Sequence, residues 1–406
     1  MRSVHPTPAA GTRRGADTHL AVTRRDGRIR VEAVPSVVPG PGELVIAPEV
    51  AGLCGTDLQI IRGIRDEPAL VLGHEGVGRV VEVGPGVDPR LSPGTRVTVN
   101  PTHPRDPSFL LGHLVDGFLQ ERTLIAATAV EAGLVLPVPA ELDVHLAPLL
   151  EPLAVAGYAL GELARCAPDA LLVVGDGTIG HLLVRAASRW LGPGIRTVLA
   201  HHRSSGAPGP ATLARLDGPA DPAGHLDVRM GALPPLPGVR RLAVALATPR
   251  TGTLTALDHV LATQPAMVAV DIIGGLPGGA RSRLLPGVDL VAVRSATCGG
   301  VPSPAHRARV RGPAGTPIEV FGHRGVRDLH LADAAAELVR RPDRYRDVVT
   351  HTASLPEAAA IMRQLSAGPD RTVGGRRLVK LGITVAPAGA VSAGTCGPPP
   401  TKGSGQ

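Results

Sequence analysis

The chain has 406 residues, of which 43% are hydrophobic and 19% are charged. This length allows two domains that each bury a core, and the composition is typical of globular rather than disordered proteins. No uninterrupted apolar run approaches the ~20 residues that cross a membrane. No apolar block follows Arg13 and Arg14, as it would in a secretory signal. We therefore expect a cytoplasmic protein without a membrane partner.

The net charge of +7 raises the question of nucleic-acid binding, and the distribution of charge argues against it. The 42 lysines and arginines are spread along the chain between acidic residues. Aromatic side chains, on which bases would stack, make up only 1% of the residues. We expect these charges to be solvated surface groups and predict no nucleic-acid partner.

The two ends of the chain differ from the part between them. Residues 1–17 and 386–406 are rich in Gly, Pro, Ser and Thr and lack periodicity, which predicts disordered tails. From about Leu20 to Leu150, short β-type runs are separated by Gly and Pro, which predicts a barrel-like β domain. The predicted strands include Glu43–Val50, Gly78–Val83 and Thr95–Val99.

From about Asp169 the chain alternates between strands and helices. This alternation predicts an α/β fold with a parallel, doubly wound sheet. The predicted strands are Leu171–Val174, Arg196–Ala200, Leu242–Leu246 and Met267–Val270. The predicted helices are Ile179–Trp190, Leu254–Leu261 and Leu329–Val339. A last strand, Arg377–Ile383, is expected to return to the β domain.

The first strand of this second part is followed by Gly175-Asp176-Gly177-Thr178-Ile179-Gly180, which fits G-x-G-x-x-G. Gly175 allows a tight turn, Gly177 lets a pyrophosphate approach the backbone, and Gly180 lets the helix pack closely on the strand. The free amides of the helix start, at Thr178 and Ile179, would bind the phosphates. In a chain with 51 glycines, the alternative is a coincidental glycine turn.

The end of the next strand bears on the choice of dinucleotide. It reads Ala200-His201-His202-Arg203-Ser204-Ser205 and lacks the carboxylate that would bind the adenosine ribose hydroxyls. A guanidinium at Arg203, with His201 and the hydroxyls, suits a 2′-phosphate, so NADP(H) is favoured over NAD(H). The alternative is an exposed polar loop without cofactor contact.

Four residues with metal-binding side chains precede the glycine turn: Cys54, His74, Glu75 and Glu151. Each has a structural explanation of its own, as a small core residue, a hydrogen-bonded histidine or a surface carboxylate. Together, their types and wide spacing are compatible with a catalytic zinc site that keeps one position open. Cysteines 166, 298 and 396 form no CxxC pair, so we expect no disulfide framework.

With these motifs the sequence resembles the medium-chain zinc-dependent alcohol dehydrogenases, especially the branch of sorbitol and threonine dehydrogenases. The resemblance runs from about Leu20 to Ile383. It implies a GroES-like catalytic domain over 18–165 and 335–385, a Rossmann domain over 166–334, and a catalytic zinc in the cleft between them.

The resemblance also implies roles for individual residues. Cys54 and His74 would be zinc ligands, and either Glu75 or Glu151 would bind zinc directly or through its water. Asp57 would orient His74, and Thr56 would receive the proton of the alcohol. Zinc would polarise the reacting oxygen while the nicotinamide exchanges a hydride with the carbon.

Two departures from the family pattern matter. Many relatives carry a four-cysteine structural zinc loop, whereas Asn100–Leu119 contains no cysteine, so we predict a single zinc. Gln59 stands where a proton-relaying histidine often stands, and its side chain cannot ionise. The relay would then pass through water.

Further features bear on the substrate. The Glu-Pro-Leu sequence at Glu151 is more usual in polyol, sugar and threonine dehydrogenases, and scarce aromatics argue against a bulky apolar pocket. His323 and Arg324 lie where such enzymes close the nicotinamide pocket. Together with Arg294–Gly299 they resemble aminocyclitol dehydrogenases of aminoglycoside antibiotic biosynthesis, such as the 2-deoxy-scyllo-inosamine dehydrogenases. The substrate predicted is a secondary alcohol of a polyol, cyclitol or aminocyclitol.

Two other functions stay open at this point. One is a zinc-free enoyl or quinone reductase of the same superfamily, although such enzymes lack the Cys–His–Glu set. The other is a catalytically silent cofactor-binding protein, in which we would expect the zinc ligands to be substituted. Family resemblance further implies a homodimer or homotetramer.

Overall fold

A computed structural model describes residues 13–201, 225–229, 236, 238–264, 266–312, 315–368 and 370–385. The strands are, in chain order, β1 (Arg13–Arg25), β2 (Arg28–Val38), β3 (Leu44–Leu53), β4 (Glu75–Val83), β5 (Arg96–Val99), β6 (Thr123–Ile125), β7 (Val135–Pro137), β8 (Ala170–Val174), β9 (Arg196–His201), β10 (His225–Arg229), β11 (Arg241–Leu246), β12 (Met267–Ile272), β13 (Arg307–Arg311), β14 (Pro317–Gly322), β15 (Val349–Ser354), β16 (Thr372–Val373), β17 (Arg376–Arg377) and β18 (Lys380–Thr384). The α-helices are α1 (Gly55–Ile61), α2 (Ala127–Glu131), α3 (Leu150–Ala164), α4 (Thr178–Leu191), α5 (Thr253–Thr263), α6 (Leu290–Ser295), α7 (Asp328–Arg340) and α8 (Leu355–Ser366).

The first domain is built on a mostly antiparallel sheet with the strand order β15-β18-β3-β4-β5-β7, and β6 also pairs with β3. In β3 nearly every side chain is buried, because the strand lies in the middle of this sheet. The hairpin of β1 and β2 and helix α8 pack against the same core. The chain therefore leaves this domain after β7 and returns to it with β15.

The second domain is a sheet with the order β10-β9-β8-β11-β12-β14-β13, parallel except for β13. The central strands carry Ala, Val and Leu at every buried position, as expected for strands covered on both faces. Helices α3, α4 and α7 cover one face, and α5 and α6 cover the other. The α/β fold of two domains predicted from the sequence is confirmed.

Most of the predicted elements of the second domain are confirmed, but the prediction of the last strand as one continuous element is wrong. The predicted strand Arg377–Ile383 is divided into β17, which forms a short hairpin with β16, and β18, which pairs with β3 and β15. The division arises because the Leu378 amide donates a hydrogen bond to Arg371 O (2.7 Å) rather than joining a sheet.

Two predicted boundaries also differ from the structure. Residues 13–17, predicted as part of a tail, belong to β1, where Arg13 pairs with Val38 and Thr18 with Pro35. The rest of that tail and all of 386–406 lie outside the described residues. The predicted boundary between 334 and 335 falls inside α7, a continuous helix that packs on α3 in the core of the second domain.

The segment Val144–Ala164, a 3₁₀ turn continued by α3, is long and apolar enough to cross a membrane by length and composition. Of its most apolar window, 72% is buried inside the molecule. Its apolar character follows from its place between α4 and α7, where it faces the sheet.

Replacing Leu160 with Ala should lower the free energy of unfolding by about 3 kcal/mol, because the side chain is fully buried in α3 and its loss leaves a cavity. Urea unfolding followed by far-ultraviolet circular dichroism measures the change. Leu329→Ala is the matched control, since Leu329 is 49% exposed on α7. Equal effects of the two variants would contradict the packing described for α3.

Candidate active site

Cys54 stands at the start of α1, immediately after β3. Its thiol sulfur accepts a hydrogen bond from the Thr56 amide (3.4 Å), and its own amide donates to the Asp57 carboxylate (2.8 Å). These reciprocal bonds form a capping box at the helix start. The thiol is therefore held in one place beside the Thr56 hydroxyl, whose oxygen lies 3.6 Å from the sulfur.

His74 and Glu75 stand at the start of β4, the strand next to β3. Gly73 has a φ of +96° and Gly76 a φ of +151°, conformations that L side chains rarely adopt. Because β4 pairs with β3 up to Gly52, the start of one strand lies beside the end of the other. One donor atom from each of Cys54, His74 and Glu75 lies within 4.8 Å of the others.

The environment of these three donors is negatively charged. The Nδ1 atom of His74 lies 3.6 Å from the Oδ1 atom of Asp57, whose carboxylate is completely buried. Burial alone would lower the pKa of His74, but the charges of Asp57, Cys54 and Glu75 outweigh it and raise the pKa to about 10. Burial raises the pKa of Asp57. The same arrangement of charges favours a bound cation.

Asp57 lies beside both Cys54 and His74. Its Oδ2 atom accepts a hydrogen bond from the Cys54 amide, whereas for Oδ1 and His74 Nδ1 the described residues offer no hydrogen-bond partner closer than this 3.6 Å approach. A small movement of the imidazole would complete a hydrogen bond between Nδ1 and Oδ1, the kind of contact that orients metal-binding histidines.

Glu75 is paired with a buried lysine that the sequence analysis did not single out. Lys380, at the start of β18, is completely buried and its ammonium contacts the Glu75 carboxylate. It also approaches the backbone oxygen of Leu53 (3.5 Å). A Cβ at Gly52 would lie 2.8 Å from the Lys380 Cε atom, so the lysine fills the space that this glycine leaves.

One signal in the sequence could have identified this lysine. Only Lys380 and Lys402 are lysines in a chain with 42 basic residues, the rest being arginines. A lysine inside an apolar strand of such a chain is unexpected, because buried ammonium groups require a partner.

Glu151 lies in the first turn of α3, outside the group formed by Cys54, His74 and Glu75. Burial and then the charge of Glu75 raise its pKa to about 7. The structure thus puts Glu75 among the donors and Glu151 within electrostatic range of them.

His113 is a second residue that the sequence analysis did not place at the site. It lies on the loop between β5 and β6, but it is buried, and its ring centroid is 4.9 Å from that of His74. Its Nδ1 atom lies 3.7 Å from the Glu67 carboxylate. A cysteine-free loop therefore forms one wall of the cluster.

The glycine turn has the geometry that the motif predicts. Gly175 has a φ of +112°, and a Cβ at Gly180 would collide with the Gly175 carbonyl oxygen, so only glycine allows α4 to start this close to β8. A Cβ at Gly177 would meet nothing within 4 Å. The amides at Thr178 and Ile179 open α4 directly behind this free space.

Two hydrogen-bonded contacts fix the turn to the first domain. The Thr178 hydroxyl donates to the Val379 carbonyl oxygen (2.8 Å). Arg377 donates to the Asp176 carbonyl oxygen (2.9 Å) and forms an ion pair with the Asp176 carboxylate. Residues 376–380 therefore contact the glycine turn at one end and, through Lys380, the donor cluster at the other.

The remaining predicted residues have different outcomes. His201 is the last residue of β9 and is half-buried, whereas Arg203 lies outside the described residues. His323 follows β14 and is buried against Tyr158, with its Nε2 atom 3.5 Å from Asp271, while Arg324 is exposed. Cysteines 54, 166 and 298 are free thiols.

The residues present fit both groups that the sequence implies. A thiolate, an imidazole and a carboxylate at this spacing are the ligand types that zinc binds in catalytic sites. The turn at Gly175–Gly180 has the strand–turn–helix context and the free space that a dinucleotide pyrophosphate requires.

Replacing Lys380 with Met should lower the free energy of unfolding by about 3 kcal/mol, because it leaves the buried Glu75 charge without its partner. Adding Glu75→Gln to this variant should restore part of the loss. Urea unfolding measures both effects. The control is Arg79→Met, which removes a partly exposed ion pair to Glu49 and should cost less than about 1 kcal/mol. Equal decreases in the free energy of unfolding for the Lys380 and Arg79 variants would show that the buried ion pair contributes no more than an exposed one.

Comparison with known proteins agrees with this two-domain site. Residues 40–136 match the family model described as alcohol dehydrogenase GroES-like domain. The chain is 33% identical over 191 residues to glucose 1-dehydrogenase of Thermoproteus tenax, covering 42% of this chain and 54% of that protein. It is 29% identical over 182 residues to an uncharacterized zinc-type alcohol dehydrogenase-like protein of Haemophilus influenzae, covering 41% and 52%. The chain thus spans about half the length of these curated relatives.

The fold is shared over a much longer range. A crystal structure from Sinorhizobium meliloti 1021, described as a zinc-binding dehydrogenase bound to NADP, superposes with a TM-score of 0.64 at 23% identity. The superposition covers 91% of this chain and 100% of that one. With its GroES-like domain, its doubly wound second domain and its zinc-type relatives, the chain is similar to medium-chain zinc-dependent alcohol dehydrogenases.

Proposed function

We propose that the chain is a zinc-dependent, NAD(P)-dependent dehydrogenase that transfers a hydride between the nicotinamide and a secondary alcohol. The observation that carries this proposal is the cluster of one thiol, one imidazole and one carboxylate within 4.8 Å, in a protein that also has a dinucleotide-type turn. The relatives named glucose, sorbitol and butanediol dehydrogenase support the same class of reaction.

In this proposal, Cys54, His74 and Glu75 hold the zinc, with Glu151 as the second carboxylate beside it. When bound, zinc supplies Lewis-acid polarisation of the reacting oxygen, and the nicotinamide supplies or accepts the hydride. The chain's own contribution is to fix the donors. The capping box of α1 holds the thiol, Asp57 orients the imidazole, and Lys380 balances the charge of Glu75.

The proton of the substrate hydroxyl is taken up by Thr56, whose hydroxyl lies next to the Cys54 sulfur. Gln59 is half-buried in the same helix and cannot ionise, so the proton continues to solvent through water rather than through a side chain at that position. Gly175–Gly180 holds the pyrophosphate, and His323, on the loop after β14, lies at the carboxyl ends of the parallel strands, where the nicotinamide binds in this fold class.

The substrate that we propose is a polar, multiply hydroxylated compound, namely a polyol, cyclitol or aminocyclitol, including those of aminoglycoside antibiotic biosynthesis. Three features of the sequence support it. They are the Glu-Pro-Leu sequence at Glu151, the resemblance of the segments at Arg294 and His323 to aminocyclitol dehydrogenases, and an aromatic content of 1%. We further propose one zinc per chain, a cytoplasmic location and a homodimer or homotetramer.

Replacing Cys54 with Ala should remove the bound zinc and lower kcat/KM about a thousandfold, because several kcal/mol of transition-state stabilisation depend on the metal. Elemental analysis of the purified protein and the nicotinamide absorbance, recorded with a panel of polyols, cyclitols and amino alcohols, measure the two effects. Cys166→Ala is the matched control, because this thiol donates to Leu163 O and lies outside the cluster. If Cys54→Ala kept its zinc and activity, the proposed site would be wrong.

For the dinucleotide, we propose a preference for NADP(H), supported by Arg203 and by the absence of a carboxylate between Ala200 and Ser205. The wild-type protein should then bind NADPH more tightly than NADH in a fluorescence titration. Arg203→Ala should weaken the binding of NADPH about tenfold and that of NADH little, since a charge-assisted contact to the 2′-phosphate is lost. A wild-type preference for NADH would refute the phosphate interpretation.

A further inference from the structure

The glycine turn carries a charge that a phosphate-binding turn does not require. Asp176 lies between Gly175 and Gly177, directly at the place where the backbone is open to a ligand. Its side chain is only 12% exposed, and the carboxylate is ionised, because the hydrogen bond and charge of Arg377 outweigh burial and lower its pKa. A negative charge there opposes the approach of a pyrophosphate.

Arg377 is the group that makes this arrangement stable. Arg377 lies 201 residues further along the chain, in the first domain. Its guanidinium donates hydrogen bonds to both the carboxylate and the carbonyl oxygen of Asp176. A guanidinium at a helix start is also a suitable partner for a phosphate, which it can bind through two parallel hydrogen bonds.

We infer that Asp176 is a built-in competitor of the dinucleotide phosphate for Arg377. In the free protein the Asp176 carboxylate is bound to the Arg377 guanidinium. When a dinucleotide binds, its phosphate also binds this guanidinium or displaces the carboxylate from it. Arg377 keeps its bond to the Asp176 carbonyl oxygen in either state and therefore stays at the turn. The ion pair would therefore make the affinity for the dinucleotide lower than that of the same turn without the charge of Asp176.

This inference rests on the proposed function, because it requires that a dinucleotide binds at the turn. It has a distinct consequence for Asp176. If the carboxylate served only to position Arg377, its removal would weaken binding, whereas removal of a competitor strengthens it. A unit charge at this range should change the dissociation constant about fivefold.

The test is a fluorescence titration of the zinc-loaded protein with NADPH and with NADH, without substrate. Asp176→Asn keeps the size of the side chain and removes its charge, and should bind the preferred dinucleotide about fivefold more tightly than the wild type. Arg377→Gln should bind it about tenfold more weakly. In the double variant the gain from Asp176→Asn should be smaller than in the single variant, since no guanidinium is left to release and only the direct repulsion of the phosphate is removed.

Asp88→Asn is the matched control, because it makes the same change of net charge at an exposed ion pair with Arg90, on the loop between β4 and β5. Circular dichroism and thermal unfolding verify the fold, and Asp176→Ser, with the same expected direction, replaces the asparagine variant if that does not fold. Unchanged or weaker binding by the charge-free variants would overturn the inference alone. A wild-type protein that binds neither dinucleotide would overturn the proposed function and this inference with it.

Discussion

The site depends on a buried ion pair between Glu75 and Lys380. Neither group could be buried alone at an acceptable cost in free energy, because an isolated charge in the interior loses its hydration. Joined, they let a carboxylate stand at the start of β4, beside Cys54 and His74, without solvent around it. The pair also ties β18, the last strand of the first domain, to β3 and β4, the two strands next to which the donors stand.

The segment that leads into β18 gives the two domains a common element. Residues 376–380 contact the glycine turn through Arg377 and Val379 and the donor cluster through Lys380. The place where a dinucleotide would bind and the place where a metal would bind are therefore joined by five residues of one chain segment. In the hydride transfer proposed for this chain, such a connection would keep the reacting partners aligned.

Local features of the molecule could be predicted from the sequence better than contacts between residues that are far apart in the chain. The glycine turn and the buried strands of the second domain could be predicted, because each depends on residue types at short spacing. Cys54 and His74 were expected as donors from their residue types and the family resemblance, whereas the choice between Glu75 and Glu151 stayed open. The ion pair of Lys380 could not be predicted, since its partner Glu75 lies 305 residues away and no periodic pattern in the sequence indicates such a pairing. The placement of His113 and the contact between Arg377 and Asp176 escaped prediction for the same reason.

The central claim is that one metal at Cys54, His74 and Glu75 is required for hydride transfer. The most direct measurement removes the metal from the wild-type protein with a chelator and restores zinc in steps, while the oxidation of a polyol or cyclitol is followed by nicotinamide absorbance. The account predicts that activity disappears on chelation and returns in proportion to zinc, reaching its full value at about one equivalent per chain. Activity that survives complete removal of the metal would contradict it.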